Sequence, residues 1–239
     1  MNICIDIGNT SAKLGVFQDN VLQSMKLHLS DRGLIKAIDG YKPDHVFIGT
    51  VRKGINKIVE RISKVSDVMV LNHATPLPIQ NLYGTPRTLG VDRIAGAVAA
   101  DYLYPKKNNL IIDIGTCITY DLIDEYGAYH GGGISPGVEM RLKAMHKFTS
   151  KLPIVTAHGQ PALIGKTTKD CMLSGAVNGT IAEIDGIIGQ YQQIYENLTI
   201  LFCGGGAIFF ESKIKGHIFA IPNLVLIGLN QILRYNLND

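Results

Sequence analysis

The chain has 239 residues, a formal net charge of +3, 46% apolar residues and 18% charged residues. Such a chain can form one large domain or two small ones around a sizeable core, and its scattered charges, without a basic stripe, argue against a protein that binds nucleic acid. No apolar run approaches the roughly 18 residues of a membrane span and no secretory signal opens the sequence, so we expect a soluble, cytoplasmic protein without membrane contacts.

The cysteines and histidines give no sign of a metal centre. Cys4, Cys117, Cys171 and Cys203 are far apart and form no Cys-x-x-Cys pair, which indicates neither a zinc site nor a disulfide framework. The seven histidines show no ligand-like spacing either.

The first part of the chain alternates apolar strand patterns with helical ones. Apolar runs bounded by turn residues predict strands at 2–6, 12–17, 21–28, 45–50 and 67–71. Helical patterns are predicted from Ser30 to 38, over 55–65, and over the alanine-rich 90–103. Between the last two, residues 72–88 form a polar, proline-containing stretch that is too long for a simple connection, and such loops tend to be functional.

The second part continues the alternation. A strand that ends near Ile112 and a strand from Tyr120 lead to a hairpin turn at Tyr126-Gly127. We then predict a glycine-rich loop over 131–137, helices over 138–147 and from Thr167 or Thr168 to 195, a strand over 198–203, a glycine turn at 204–206 and a last helix over 224–233. No flexible linker separates the halves. We therefore expect an α/β protein of two related lobes, 1–108 and 109–239, packed around a cleft.

One four-residue motif occurs twice, as Ile5-Asp6-Ile7-Gly8 and as Ile112-Asp113-Ile114-Gly115. Each copy ends an apolar run and is followed by small or hydroxylated residues and a second apolar run. This pattern predicts strand, tight glycine turn, strand, with an acid at the end of the first strand. Exposed N–H and hydroxyl groups suit phosphate oxygens, and the acid suits a hard cation that accompanies phosphates. Two copies in the same context indicate a duplicated scaffold.

The first copy continues through Asn9, Thr10, Ser11 and Ala12 to Lys13, which adds three side-chain donors and a cation. The plain alternative is an ordinary hairpin with a surface lysine. The second copy and two further glycine-rich turns favour a nucleotide phosphate site. Lys13 could reach a phosphate or could lie on a solvated strand.

Gly90-Val91-Asp92-Arg93 places an acid and a base at the start of a helix of small residues. Asp92 could be a helix acid stabilised by the macrodipole, or a carboxylate that accepts a proton from a substrate hydroxyl. Arg93 could hold a substrate carboxylate through a two-pronged contact. Tyr83, in the preceding polar loop, is either a packing residue or a substrate contact.

Two runs of three glycines, 131–133 and 204–206, exceed what any turn type needs. They indicate either conformational freedom alone or close backbone approach, to a phosphate in the first case and to the adenine-ribose portion in the second.

Taken in order and spacing, four motifs of this sequence resemble those of type III pantothenate kinases. They are Asp6-Ile7-Gly8-Asn9-Thr10, Gly90-Val91-Asp92-Arg93, Asp113 to Thr119, and Gly132 to Gly137. The resemblance covers nearly the whole chain. That family belongs to the acetate kinase, sugar kinase, Hsp70 and actin superfamily, so the resemblance implies two related ribonuclease H-like lobes of the actin-like ATPase fold.

The resemblance also implies an activity: ATP-dependent phosphorylation of pantothenate to 4'-phosphopantothenate, the first step of coenzyme A biosynthesis. It implies a homodimer that uses Mg²⁺ with ATP and requires K⁺ or NH₄⁺. By motif, ATP would contact Asp6, Ile7, Gly8, Asn9, Thr10, Ser11, Ala12, Lys13 and Thr116. Pantothenate would contact Tyr83, Gly90, Val91, Asp92, Arg93 and Thr168. Asp92 would be the catalytic base, Asp113 would bind the monovalent cation, and Asp6 would hold Mg²⁺ through water.

The sequence departs from the family pattern at a few positions. Cys117 stands where alanine is usual, Thr167 stands beside Thr168 where the family often has asparagine, and Gly206 stands where aspartate is frequent. The last change weakens any expectation of an adenosine contact there.

Other functions within the same superfamily remain as alternatives. A sugar or acyl kinase would share the ATP-binding half but need different residues around Asp92. A non-catalytic transcriptional regulator that binds ATP or pantothenate would have no need of a base, so the intact Gly90-Val91-Asp92-Arg93 argues against it. An actin-like filament subunit would need polymerisation surfaces that the sequence does not reveal.

Overall fold

The computed structural model describes residues 1–8 and 12–237, so the predicted phosphate contacts Asn9, Thr10 and Ser11 lie outside the described residues. The chain forms two compact units. The first contains residues 1–106, 123–131 and the chain from Asn223 onward. The second contains residues 107–122 and 132–222.

Strands and helices alternate along the described residues. The strands are β1 (Asn2–Ile7), β2 (Ala12–Gln18), β3 (Val21–Leu29), β4 (His45–Thr50), β5 (Asp67–Val70), β6 (Gln80–Asn81), β7 (Asn109–Ile114), β8 (Cys117–Ile123), β9 (Ala128–Pro136), β10 (Thr199–Cys203) and β11 (Ile218–Ala220). The helices are α1 (Asp31–Tyr41), α2 (Asn56–Ile62), α3 (Val91–Leu103), α4 (Val138–Lys147), α5 (Thr168–Ile194), α6 (Ala207–Glu211) and α7 (Leu224–Leu237), and a short 3-10 helix covers Pro86–Thr88. None of these helices has the length and apolar character needed to span a membrane.

The first unit is built on a five-stranded sheet with the strand order β3-β2-β1-β4-β5. In this sheet β1 is antiparallel to β2 and parallel to β4, and β4 is parallel to β5. Ile3, Ile5 and Ile7, which alternate along β1, point into a core that α1 and α2 help to form. Asp6 consequently lies on the opposite face of β1, near its carboxyl end.

Five strands of the second, six-stranded sheet repeat this topology. Their order, β9-β8-β7-β10-β11, matches β3-β2-β1-β4-β5 position by position. As in the first unit, the strand with the acid is parallel to its neighbour, since β7 is parallel to β10 and β10 to β11. The sixth strand, β6, pairs with residues 128 and 129 of β9, which belong to the first unit as β6 does. The duplication predicted from the two Ile-Asp-Ile-Gly copies is confirmed, and Asp6 and Asp113 occupy corresponding positions.

The prediction of a glycine-rich loop over 131–137 is wrong, because β9 continues through this segment to Pro136. The glycines let this strand approach its neighbours more closely than any side chain would allow. A Cβ atom on Gly132 would lie 1.9 Å from the carbonyl oxygen of Tyr120, and one on Gly131 would lie 2.7 Å from Cδ2 of Tyr83. The requirement for glycine therefore comes from contacts within the protein.

The compact units differ from a simple division at residue 108. The chain first passes from the first unit to the second between residues 106 and 107, close to the predicted boundary. Residues 123–131 and the last helix, however, also belong to the first unit. The physical reason is that α7 packs directly on α3. A Cβ atom on Gly228 of α7 would lie 1.8 Å from the carbonyl oxygen of Ala95 in α3. This close approach makes α7 part of the first unit's core.

Most of the other predicted elements are present, with shifts at their ends. The helix predicted over 55–65 ends at Ile62, and the one predicted to end at 233 continues to Leu237. Ser30 is the N-cap of α1 as expected, since its hydroxyl oxygen accepts a hydrogen bond of 3.2 Å from the N–H of Gly33.

Candidate active site

Asp6 lies at the end of β1, directly opposite Lys13 of β2 in the antiparallel register. Burial raises the pKa of Asp6 to about 6, the Lys13 ammonium opposes that rise, and the nearby Asp92 carboxylate adds to it. Two predicted acids and the predicted cation are thus close enough to influence one another. The side chains of Ile7 and Ala12, by contrast, are buried in the core, so their predicted phosphate contacts would have to come from the backbone.

The raised pKa of Asp6 predicts how stability depends on pH in protein free of nucleotide and magnesium. The folded state binds a proton at Asp6 more tightly than the unfolded chain does, so the stability that this proton provides is lost as pH rises from about 4 to about 6. We expect Asp6→Asn to unfold at a higher temperature than the wild type at about pH 8, and the difference to close near pH 4.5. Thermal melts followed by circular dichroism at both pH values measure this difference in melting temperature. Equal melting temperatures of the variant and the wild type at the higher pH would contradict the prediction.

Asp92 occupies the first turn of α3, and Gly90 is the residue before the helix begins. Asp92 Oδ1 accepts a hydrogen bond of 2.9 Å from the backbone N–H of Arg93, which fixes the orientation of the carboxylate. A Cβ atom on Gly90 would lie 2.5 Å from the same oxygen, so this orientation requires glycine at position 90. The helix-acid interpretation of Asp92 is therefore correct as far as it goes, and it does not conflict with a role as a base. Val91 is half-buried beside them.

Tyr83 and Arg93 form one cluster with a residue that sequence analysis missed, Tyr129. The Arg93 guanidinium lies 5.7 Å from the centroid of the Tyr83 ring, and the Tyr83 and Tyr129 ring centroids are 6.2 Å apart. Arg93 and Tyr129 are buried, whereas Tyr83 is half-buried. Tyr129 and Gly131 are two residues apart on β9 and therefore face the same side of the strand, where both meet Tyr83. That spacing is the signal that could have identified Tyr129.

In the second unit, Asp113 lies near the end of β7, just before a turn. Glycines 204–206 pack against this part of the chain. Gly204, with a φ of 81°, is so close that a Cβ atom there would lie 2.2 Å from Asp113 Oδ1. The N–H of Gly206 donates a 2.9 Å hydrogen bond to the carbonyl of Ile114. Glycines 204 and 206 thus allow the backbone to approach Asp113 and Ile114 of the protein itself.

The turn at Gly115 and Thr116 is itself exposed, and it is held from the other side by Gly137. The Gly137 N–H donates a hydrogen bond of 3.1 Å to the Thr116 carbonyl. A Cβ atom on Gly137 would lie 2.3 Å from the carbonyl oxygen of Gly115. Gly137 also precedes the first turn of α4, so the predicted ATP contact Thr116 is supported by a strand-to-helix junction.

Thr168 is the first residue of α5 and is exposed. Its neighbour Thr167 is the N-cap, and Thr167 and Asp170 form a reciprocal capping box, with bonds of 3.2 Å and 3.1 Å. Thr167 is thus engaged in capping the helix, and Thr168 is left with its side chain in solvent.

Asp6 and Asp113 could each supply one carboxylate ligand to a cation, which would need its other ligands from outside the acidic side chains. Within residues 1–8 and 12–237, no group of three or more His, Cys, Asp or Glu residues could hold a metal ion. Asp6 is a half-buried carboxylate whose ionised form is disfavoured by desolvation and by the charge of a second carboxylate, a situation that a cation relieves. The Asp113 carboxylate and the Ile114 carbonyl both lie beside Gly204, since a Cβ atom there would be 2.2 Å from Asp113 Oδ1 and 2.6 Å from the Ile114 oxygen. Phosphates, water or such carbonyls would have to supply the remaining ligands.

Comparison with solved structures places the fold among actin-like ATPases and sugar kinases. A Campylobacter jejuni protein assigned to the Baf family of transcriptional activators matches with a TM-score of 0.68 at 20% identity, over 99% of this chain and all of that one. Component A of (R)-2-hydroxyglutaryl-CoA dehydratase from Acidaminococcus fermentans matches with a TM-score of 0.52 at 13% identity, over 98% and 96% of the two chains. At these identities the likeness shows the fold, and it confirms the predicted pair of related lobes of this class.

Comparison of sequences identifies the family. The family model for type III pantothenate kinase matches residues 2–190. A type III pantothenate kinase from Cytophaga hutchinsonii is 46% identical over 99% of this chain and 100% of its own length. Another, from Phocaeicola vulgatus, is 42% identical over 99% of both. The two relatives match over nearly the whole chain, and the family model covers the residues of all four motifs on which the resemblance was based. The chain therefore belongs to the type III pantothenate kinase family.

Proposed function

We propose that the protein transfers the γ-phosphoryl group of ATP to the primary hydroxyl of pantothenate, which gives 4'-phosphopantothenate and ADP in the first step of coenzyme A biosynthesis. The observation that carries this proposal is the full-length membership of the type III pantothenate kinase family. A cytoplasmic location remains part of the proposal.

The proposed reaction is an in-line displacement. A bond forms between the substrate oxygen and the γ-phosphorus, the bond from that phosphorus to the β–γ bridging oxygen breaks, and ADP leaves. The Asp92 carboxylate takes the hydroxyl proton. Its orientation is fixed by the bond from the Arg93 N–H and by the absence of a side chain at position 90. A base in this role contributes about 10²–10⁴-fold to the rate.

Pantothenate binding is assigned to residues around Asp92. The Arg93 guanidinium, packed over the Tyr83 ring, would bind the pantothenate carboxylate through two parallel hydrogen bonds. Tyr83, half-buried, presents the rest of its ring to the substrate. The exposed Thr168 at the start of α5 is the remaining predicted contact.

ATP binding is assigned to the two corresponding turns of the duplicated scaffold. Residues 6–13, with Lys13 as the cation, would contact the phosphates, and Thr116 would contact the nucleotide from the second unit's turn. Mg²⁺ bound with ATP neutralises phosphate charge, and Asp6 would hold it through water. Asp113 would bind K⁺ or NH₄⁺. The two copies of the motif would thus serve different cations.

The homodimer is part of the proposal, and two helices are candidates for its surface. One candidate, the alanine-rich helix α3, has residues 93–100 buried within the first unit. The N-terminal half of α5 is the other candidate, and it exposes Cys171 and Gly175. Beside it, Leu163 and Ile164 are about four-fifths exposed, at 79% and 80%. Burial of such apolar side chains against a second copy would stabilise the dimer.

The packing of Tyr83 against Gly131 predicts how a methyl group added at position 131 would affect pantothenate binding. Gly131→Ala places a Cβ atom 2.7 Å from Tyr83, at a residue whose φ of 89° also disfavours alanine, so the ring has to move. We expect the KM for pantothenate to rise about tenfold with a smaller change in kcat, because substrate binding is lost rather than chemistry. In the control Gly133→Ala the new Cβ meets Tyr120 at an ordinary 3.4 Å. Equal KM values in both variants would contradict the role of Tyr83.

The activity itself is tested by ADP release from ATP, Mg²⁺ and pantothenate, with and without K⁺. We expect turnover that depends on pantothenate and that falls severalfold when Na⁺ replaces K⁺, and Asp113→Asn is expected to lose this dependence because the site loses its charged ligand. Absence of turnover with pantothenate would refute the kinase proposal and favour the regulator of the same fold. Turnover indifferent to K⁺ would refute only the role of Asp113.

A further inference from the structure

The second unit contains an ion pair that none of the motifs includes. Arg141 near the start of α4 and Glu183 in the middle of α5 form a salt bridge, and their side chains are only 20% and 27% exposed. Arg141 also donates to the segment before α4: Nε donates to the Pro136 carbonyl at 2.8 Å, and the terminal nitrogen that pairs with Glu183 also donates to Ser135 Oγ at 2.9 Å. One guanidinium therefore fixes both a helix and the end of β9.

The other oxygen of Glu183 connects to β8. The Tyr120 hydroxyl donates a hydrogen bond of 3.0 Å to Glu183 Oε1. Burial, followed by the charge of Glu183, raises the pKa of Tyr120, so the phenol keeps its proton and remains a donor. Burial alone would raise the pKa of Glu183, but hydrogen bonds from Arg141, Ser135 and Tyr120 outweigh it and lower that pKa. The carboxylate therefore stays ionised.

These contacts close a ring around the turn at Gly115 and Thr116. On one side, Gly137 follows Pro136 directly and donates its N–H to the Thr116 carbonyl at 3.1 Å. On the other side, the turn leads into β8, which carries Tyr120. Arg141 and Glu183 join the two sides. A Cβ atom on Gly137 would lie 2.3 Å from the Gly115 carbonyl, so the lack of a side chain at position 137 lets the junction lie directly against the turn.

A simpler explanation is that the ion pair ties α4 to α5. These helices already share an apolar cluster, formed by Leu142, Met172, Leu173 and Ala176, which is sufficient to pack them together. The cluster makes no use of Ser135, Pro136 or Tyr120. The bonds that link Arg141 and Glu183 to those three residues instead reach the two segments that adjoin the turn.

We propose that Arg141 and Glu183 are positioning residues that set the nucleotide-binding geometry of the Gly115–Thr116 turn. The inference rests on the proposed function, in which Thr116 contacts ATP. The pair acts at a distance from the nucleotide, through Gly137 on one side and Tyr120 on the other. It determines how tightly ATP binds and leaves the pantothenate contacts around Asp92 unaffected.

The test is the dissociation constant for ATP of the full-length protein, measured by titration calorimetry without pantothenate, in Glu183→Gln and Arg141→Met. We expect each variant to bind ATP about tenfold more weakly, because each loses charge-assisted hydrogen bonds that hold the turn. The double variant should be little weaker than either single one, since both changes break the same ring. Tyr120→Phe removes only one bond and provides a milder variant, expected at about threefold.

The matched control is Glu139→Gln, also on α4. Glu139 Oε1 accepts a 2.8 Å hydrogen bond from the Ala157 N–H and so holds a backbone segment that is not the turn. We expect its ATP affinity, and the KM for pantothenate of every variant, to stay within about twofold of the wild type. Unchanged ATP affinity in folded Glu183→Gln, or an equal loss in Glu139→Gln, would overturn the inference. Absence of pantothenate turnover by a wild type that binds ATP would overturn the proposed function alone.

Discussion

Replacing Asp92 by Asn is expected to lower pantothenate turnover about 10²–10⁴-fold while the protein stays folded. The substituted amide cannot accept the hydroxyl proton. Its oxygen can still accept the 2.9 Å hydrogen bond from the Arg93 N–H, so the start of α3 is preserved. Because the change acts on the chemical step, kcat should carry the loss and the KM for pantothenate should change little. Steady-state ADP release at saturating ATP measures both parameters.

The matched control for this prediction is Asp101→Asn on the same helix. Asp101 is also an acid with a raised pKa, caused by burial and by the charge of Asp124, but it adjoins Gly127 rather than the Tyr83 cluster. We expect Asp101→Asn to keep turnover within about twofold of the wild type. Near wild-type turnover in folded Asp92→Asn would remove Asp92 from its role as the base and leave it as a helix-terminal acid.

Features set by local sequence were predictable. The two Ile-Asp-Ile-Gly copies predict their strands and turns, because branched apolar residues favour strands and glycine permits the turn. This local repetition predicts the two strand-turn-strand units and a duplicated scaffold. Asp92 could likewise be placed at the start of a helix, since the glycine before it and the small residues after it define that helix without any knowledge of the tertiary structure.

What was not predictable depends on contacts between distant residues. Glycines 131–133 look like a loop because glycine is disfavoured in strands. Their environment, with Tyr83 against Gly131 and Tyr120 against Gly132, becomes visible only once the strands have assembled. The pairing of Arg141 with Glu183 has the same origin, since neither residue carries a local signal. The acids proposed for the site therefore stand in motifs that the sequence reveals, whereas the residues that hold the nearby turns in place do not.

The small residues of α3 are a further instance, and they lead to the prediction with the largest effect on stability. Their sequence shows that something packs closely, but what packs there is α7, more than a hundred residues later in the chain. Gly228→Ala would bring a Cβ atom within 1.8 Å of the Ala95 carbonyl oxygen, a contact that backbone atoms can relieve only if the two helices move apart. We expect a loss of about 3 kcal/mol and a fall in the melting temperature of about 6–12 °C.

Gly186→Ala separates this clash from the effect of adding a methyl group to a helix. Gly186 lies inside α5, where a Cβ atom would meet nothing within 4 Å. Alanine there should stabilise by up to about 1 kcal/mol, because it restricts the unfolded chain and favours the helix. Thermal melts of the two variants should therefore shift in opposite directions. If Gly228→Ala instead melted at or above the wild-type temperature, α7 would not pack on α3 through Gly228. The close contact between these helices would then not explain why α7 belongs to the first unit.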